Sequence, residues 1–201
     1  MSAPFISALA ARRSIYALSK KAILSDEAVV SLVQKAVKYS PSSFNSMSSR
    51  AVVLLGKEHD HYWTKIVPDE LRKVTPPDAL EKGLKRVEGF AAGYGTVLFF
   101  EDASTVKGLQ EKLPLYASSF PQWSEHASGM AQLATWTALE LEGYGANLQH
   151  YANLTQPAVR AHWQLDDNWV LKSELVFGHP EGGPSPDKPF LADEERVKVF
   201  K

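Results

Sequence analysis

The stretch from Gly129 to Tyr151, GMAQLATWTALELEGYGANLQHY, limits what this chain can become more than any other part of it. Met130, Leu133, Ala134, Thr137 and Leu141 recur at helical spacing, while Trp136 and Leu139 fall off that stripe, so apolar side chains cover most of a helix circumference. A helix that is apolar nearly all round belongs inside a protein. Its Ala, Leu, Met, Gln and Glu content favours helix, and Gly143 and Gly145 supply the backbone freedom for a stop and a tight exit turn. The pattern predicts a central core helix over 130–142, followed by a short exit, Ala146, Asn147, Leu148 and Gln149, at the surface of the core. Periodicity alone asks for no more than packing here.

A chain of 201 residues is long enough for one full-sized domain and short for two. One domain over 1–201 is expected. The hydrophobic fraction of 44%, with five Trp, seven Tyr and nine Phe, supplies a sizeable core, and a net charge of -1 gives no polyanion-binding bias, which argues against nucleic acid as a partner. There is no cysteine, so a disulfide framework, a thiolate metal site and a cysteine nucleophile are all excluded. The N-terminal MSAPFISALAARRS places its arginines after its apolar piece, the reverse of a secretory signal, and no run approaches the roughly 20 apolar residues of a membrane span. A soluble cytoplasmic protein is expected, with no membrane partner.

Phe5 to Ala11 reads as a short helix ending at Arg12, Arg13 and Ser14, with an extended segment over 15–17. Two guanidiniums beside a hydroxyl match phosphate oxygens, although a solvated surface pair has the same appearance. Ser25 with Asp26 and Glu27 marks a helix start, and apolar spacing carries that helix to about Tyr39. A loop of short polar side chains follows, from Ser40 through Pro41, Ser42, Ser43, Phe44 and Asn45 to Ser49. Arg50 to Gly56 reads as a central strand, 78–92 as a helix opened by Pro76 and Pro77, and Thr96 to Phe100 as a second strand.

His59, Asp60 and His61 invite a metal site, yet residues two apart on a helix face different ways and the i, i+4 pair is missing. Glu101 and Asp102, adjacent at a strand end, point to opposite faces and read as a solvated terminus rather than an acid/base pair. Tyr116, Phe120 and Trp123 line either a pocket or the core. Thr155 and Pro157 read as the start of a helix running to Trp163, 169–178 as a strand, 179–189 as a Gly/Pro-rich loop, and the alternating tail EERVKVFK, 194–201, as a strand needing a sheet edge. No Gly-x-Ser-x-Gly elbow is present and the six histidines sit in no triad-like context, which sets a hydrolase aside.

Arg12-Arg13-Ser14 after a short helix, Pro41-Ser42-Ser43-Phe44-Asn45, the Met130 to Tyr151 helix and exit, and Lys188 near the end together resemble the nitroreductase family of flavoproteins. The ending Gly-Ala-Asn-Leu-Gln-His-Tyr and the Glu-Glu-Arg-Val-Lys-Val-Phe tail look most like a compact bacterial and fungal subgroup. The resemblance implies an α+β fold, a mostly antiparallel sheet flanked by helices, built as an intertwined homodimer whose tail, about 188–201, extends the partner's sheet. It implies FMN as cofactor, NADH or NADPH as donor, and ping-pong reduction of a small-molecule electron acceptor, a nitroaromatic or quinone. Arg12, Arg13, Ser14, Lys188 and Arg196 or Lys198 would hold the phosphate end. Ser42, Ser43 and Asn45 would reach the partner's flavin, Asn147 and Leu148 would border its ring, and Phe44, Tyr116 and Trp123 would shape the acceptor pocket.

Three departures are visible. Met47, Ser48 and Ser49 replace the family's Gln-Pro-Trp continuation, Phe190 replaces the arginine of its Lys-x-Arg element, and Tyr16 stands where a basic residue often lies near the flavin pyrimidine. They motivate a competing reading as an FMN-binding sensor or storage protein without efficient turnover. A flavin-free interaction domain is the third reading, in which the loops are ordinary connections.

Overall fold

The computed structural model describes residues 2–184 and 188–201, so residues 185–187 of the predicted Gly/Pro-rich loop lie outside the described residues. Helix α1 (Ala3–Ala11) carries Pro4 in its first turn and ends where Arg12 turns extended. After β1 (Leu18–Ser19), α2 (Asp26–Tyr39) starts as its sequence predicts: Ser25 Oγ accepts from the Ala28 amide at 3.3 Å, with Asp26 and Glu27 in the first turn. Strand β2 (Ser49–Leu55) leads into α3 (Lys57–His61), a wide π turn at Tyr62–Ile66, and α4 (Val67–Val74). Next come α5 (Pro77–Ala91), β3 (Gly95–Asp102), α6 (Ala103–Lys112) and α7 (Phe120–Leu141). The chain closes with β4 (Gly145–Gln149), α8 (Ala152–Trp163), β5 (Trp169–Pro180) and α9 (Asp193–Arg196).

The five strands form one antiparallel sheet, so the fold is α+β. Strand β5 is its hub, pairing with β3 and β4 over the same residues, hence on opposite edges, and with β1 at its end. Strand β2 is an edge, hydrogen-bonded among the described residues to β3 alone. Every residue of β3 is buried, and its alternation feeds two cores. Val97 and Phe99 meet Val29 and Val33 of α2 and Leu139 of α7, whereas Leu98 and Phe100 meet Trp63, Val87, Phe90 and Val159 on the other face. Each of these large side chains contributes roughly 1.5–3 kcal/mol by leaving water.

Several expectations change. The core helix begins ten residues earlier than the apolar run, at Phe120 rather than Met130. It is not buried all round: Met130, Leu133 and Leu141 are 40%, 43% and 69% exposed. The segment after Gly143, predicted as a surface exit, is buried strand β4, entered through a left-handed Gly143 with φ 94°. Arg50 to Gly56 is an edge strand, not a central one. Thr155 lies inside α8 rather than capping it, and its hydroxyl donates to the Tyr151 carbonyl. The C-terminal alternation is not a strand within this chain, because 193–196 are helical and 197–201 are exposed and irregular.

Candidate functional site

Two clusters gather most of the residues singled out in the sequence. At the first, the chain leaving α1 runs beside β4. Ser14 bridges Ala146, and the Ile15 amide donates to the Ala146 carbonyl at 2.9 Å. Gly145 eases this approach: a Cβ there would lie 3.0 Å from Ile15 and Leu18 side-chain carbons, which would have to give way. The Arg12 guanidinium lies 4.3 Å from the centre of the Trp136 ring on α7, a cation over an aromatic face. Beside it, Glu140 accepts from Trp136 Nε1 and from the Arg13 amide, each at 3.1 Å. Burial raises the Glu140 carboxyl to about 7, against the opposing pull of Trp136, Arg12 and the Arg13 amide. The Ser14 hydroxyl makes no hydrogen bond to another described residue.

The second cluster is the loop between α2 and β2. Phe44, Asn45 and Met47 all have left-handed backbones, with φ of 54°, 50° and 52°. Three such non-glycine residues within four positions cost about 1 kcal/mol or more apiece and persist only where surroundings hold them. Here Ser42 Oγ accepts from the Met47 amide at 2.9 Å, and Arg50 donates to the Met47 carbonyl and, at 2.8 Å, to Asp102. The Phe44 ring lies 5.9 Å from Tyr116, 5.7 Å from Phe120 and 6.2 Å from Trp123, centre to centre. Phe44, Tyr116 and Trp123 are therefore brought together, with Phe120 as a buried floor. The Ser43 hydroxyl and the Asn45 side-chain amide make no hydrogen bond to another described residue.

These clusters sit at opposite ends of α7, one at Phe120 and Trp123, the other at Trp136 and Glu140. At about 1.5 Å of rise per residue they are roughly 20 Å apart along the helix axis. One chain alone does not join them. Asn147 is wholly buried and committed inside the protein: its amide donates to the Ile15 carbonyl at 2.9 Å and accepts from Gln149 at 2.8 Å. Leu148 is half-buried against the α2/α7 core. Lys188, Arg196 and Lys198 are exposed. His59, Asp60 and His61 diverge, His59 bonding Thr96 at 2.9 Å, Asp60 pairing with Lys20, and His61 stacking on His162 at 4.1 Å.

Sequence reading missed Glu101 and Glu140. Glu101 is not a solvated strand end, since it is 2% exposed and accepts from Ser48 and Ser124 at 2.6 Å and from Ser49 at 2.5 Å. Asp102 is likewise buried, accepting from Arg50, Ser104 and Thr105. The period of two in β3, Val97-Phe99-Glu101, was the available signal, because it continues the α7-facing side directly into the carboxylate.

The family model described as Nitroreductase family matches residues 9–179. The nitroreductase FRM2 of Saccharomyces cerevisiae is 34% identical over 190 residues, 93% of this chain and 93% of the yeast protein. Nitroreductase CinD from Lactococcus lactis, solved in complex with nicotinic acid, superposes with a TM-score of 0.90 at 43% identity, covering 98% of this chain and 100% of that one. CinD is also known in complex with chloramphenicol and with 4-nitrophenol. A nitroreductase-like structure from Desulfovibrio desulfuricans in complex with FMN shares the fold at a TM-score of 0.70 and 20% identity, over 98% of each chain.

Proposed function

The chain belongs to the nitroreductase family and by that membership is an oxidoreductase; on this footing we propose that it binds FMN, takes hydride from NADH or NADPH and reduces nitroaromatics or quinones by a ping-pong mechanism. One observation carries the reading. The hydroxyls of Ser14 and Ser43 and the side-chain amide of Asn45 make no hydrogen bond among the described residues, on backbone that is otherwise heavily tied down. Uncommitted donors on a held backbone suit a polar ligand with a phosphate and a hydroxylated chain. The Arg12 and Arg13 guanidiniums add the charge a phosphate needs.

When bound, the flavin supplies reversible two-electron chemistry at its ring, so the chain needs no nucleophile or general base. The protein's work is to bind and orient. Arg12, Arg13 and Ser14 hold the phosphate end, with Lys188 and either Arg196 or Lys198 adding charge. Leu148 borders the ring. Asn147 orients the Ile15 backbone rather than offering a free amide, so its part is indirect. Phe44, Tyr116 and Trp123 form an aromatic wall that receives a flat, electron-poor acceptor and excludes water.

The 201 residues act as one domain within a homodimer. The exposed stripe of α7 lies between two apolar grooves, one of about 590 Å³ against Phe5 and Leu9 of α1, the other of about 340 Å³ against Leu32 and Tyr39 of α2. A second copy packed antiparallel on α7 covers both, and it brings the loop of one chain, with Ser42, Ser43 and Asn45, to the arginines of the other. The exposed Val197, Val199 and Phe200 of the tail are then covered by the partner. A sensor or storage role is the competing reading, since Tyr16 and Phe190 are exposed where the family carries basic groups.

The test is a visible spectrum of the purified protein, reconstituted with FMN and treated anaerobically with NADH or NADPH. The enzyme reading predicts flavin bands that bleach within turnover time. Bands that stay unbleached favour the storage reading, and a protein that takes up no FMN refutes both.

A further inference from the structure

Glu101 is the last residue of the α7-facing row of β3, and it is buried with no ion pair among the described residues. Its two carboxylate oxygens instead accept from three serine hydroxyls, Ser48 and Ser124 at one oxygen and Ser49 at the other. Ser49 lies directly across the β2/β3 ladder from Glu101, so both side chains share one face. Ser48 passes the connection back into the loop through Ser46 at 3.4 Å, and the Ser48 carbonyl accepts from the Asp102 amide at 2.9 Å. Ser124 belongs to the first turns of α7, between the Trp123 ring that faces Phe44 and the buried Ala127. A single carboxylate thus ties together the exit of the strained loop, the edge strand and the helix that carries the aromatic wall.

We propose that Glu101 is a positioning residue for the proposed flavin and acceptor site: by holding Ser48, Ser49 and Ser124 it fixes the left-handed backbone at Phe44, Asn45 and Met47, so that Ser43 and Asn45 face the cofactor and the Phe44 ring stays seated against Tyr116, Phe120 and Trp123. The physical reason is the strain itself. Left-handed Phe, Asn and Met relax to ordinary backbone unless something outside the loop prevents it. A carboxylate accepts from all three hydroxyls, whereas an amide in its place presents an NH₂ on one side, so that at least one serine must reverse its hydroxyl and accept where it had donated, which loosens the clamp. The inference rests on the functional reading above for the ligands named, and on the fold alone for the restraint.

Glu101→Gln separates the two. In the flavin-free protein, hydrogen exchange of the amides of Asn45, Ser46 and Met47, each bonded within the loop, is expected to quicken by about 10-fold while the β3 amides stay protected. In the reconstituted protein the KM for a nitroaromatic acceptor is expected to rise by about fivefold with kcat changed less than twofold, and FMN is expected to bind about 10-fold more weakly. Ser124→Ala, which leaves the carboxylate in place and removes one donor, is expected to move the same quantities by a smaller amount and keeps the test decisive if the glutamine variant does not fold. Unchanged loop exchange in both variants overturns the restraint. Quickened exchange with unchanged FMN affinity and unchanged KM overturns its role in the site. If the wild-type protein takes up no FMN, the functional reading fails, and the exchange measurement still decides whether Glu101 holds the loop.

Discussion

Glu174 gives a quantitative test of how this core handles charge. It is fully buried in β5, where one oxygen accepts from Tyr62 Oη at 3.0 Å and the other from the Tyr151 amide at 2.9 Å. No cation among the described residues is hydrogen-bonded to it, and burial pushes its carboxyl from an ordinary 4.5 to about 7, against the pull of those two donors. The folded chain therefore holds a proton that the unfolded chain releases. Stability from this group is fully present below about pH 4.5 and is lost as pH rises through 7. The loss between pH 4 and pH 8 amounts to about 3 kcal/mol. Glu174→Gln removes the titration and keeps the shape. The glutamine oxygen accepts from Tyr151, its NH₂ donates to Tyr62, Tyr62 donates to Thr155 at 3.1 Å, and Thr155 donates to the Tyr151 carbonyl at 3.1 Å. Urea unfolding at fixed protein concentration, at half-unit steps from pH 4 to pH 8.5, gives the difference between variant and wild type. It is expected to grow with pH to about 3 kcal/mol in favour of the glutamine, or about 6–12 °C in Tm. Glu140 titrates in both proteins and cancels. A difference independent of pH refutes the reasoning.

Other outcomes follow from the same geometry. Arg12→Ala is expected to weaken FMN binding by about 10- to 100-fold, the range of one charged hydrogen-bonding partner, as read by quenching of flavin fluorescence. Leu133→Glu places a charge on the exposed α7 stripe and is expected to convert the proposed dimer to monomer in light scattering, with loss of FMN uptake. Met47→Gly relieves one left-handed side chain that is 67% exposed and is expected to raise stability by about 0.5–1 kcal/mol in calorimetry.

The reach of the sequence differs from element to element, for physical reasons. Helix α2 was legible because Ser25, its acidic first turn and its apolar spacing all act locally. Strand β3 was legible because its β-branched and aromatic run has no competing helical period. The start of α7 was not, since Phe120-Pro121-Gln122-Trp123 mixes aromatics and polar groups whose helical state is set by packing on Phe44 and by the Glu101–Ser124 bond. Gly145 to Gln149 reads as a loop until β5, nearly thirty residues on, supplies its hydrogen bonds. The arginine and loop segments were found through family likeness. That Phe44, Tyr116 and Trp123 meet was expected from their chemistry, while the serine clamp on Glu101 depends on cross-strand register, which no local pattern encodes.

The central claim is that each flavin site is made from two chains, arginines from one and the serine loop from the other. The most direct measurement uses mixed dimers of Arg12→Ala with a Ser43→Ala/Asn45→Ala chain, titrated with FMN. Each homodimer should bind weakly, and the mixed dimer should recover one site of wild-type affinity for every two chains, because one pairing of intact arginine and intact loop remains. Weak binding throughout, with no recovery in the mixed dimer, would place both halves of the site in the same chain and contradict the account.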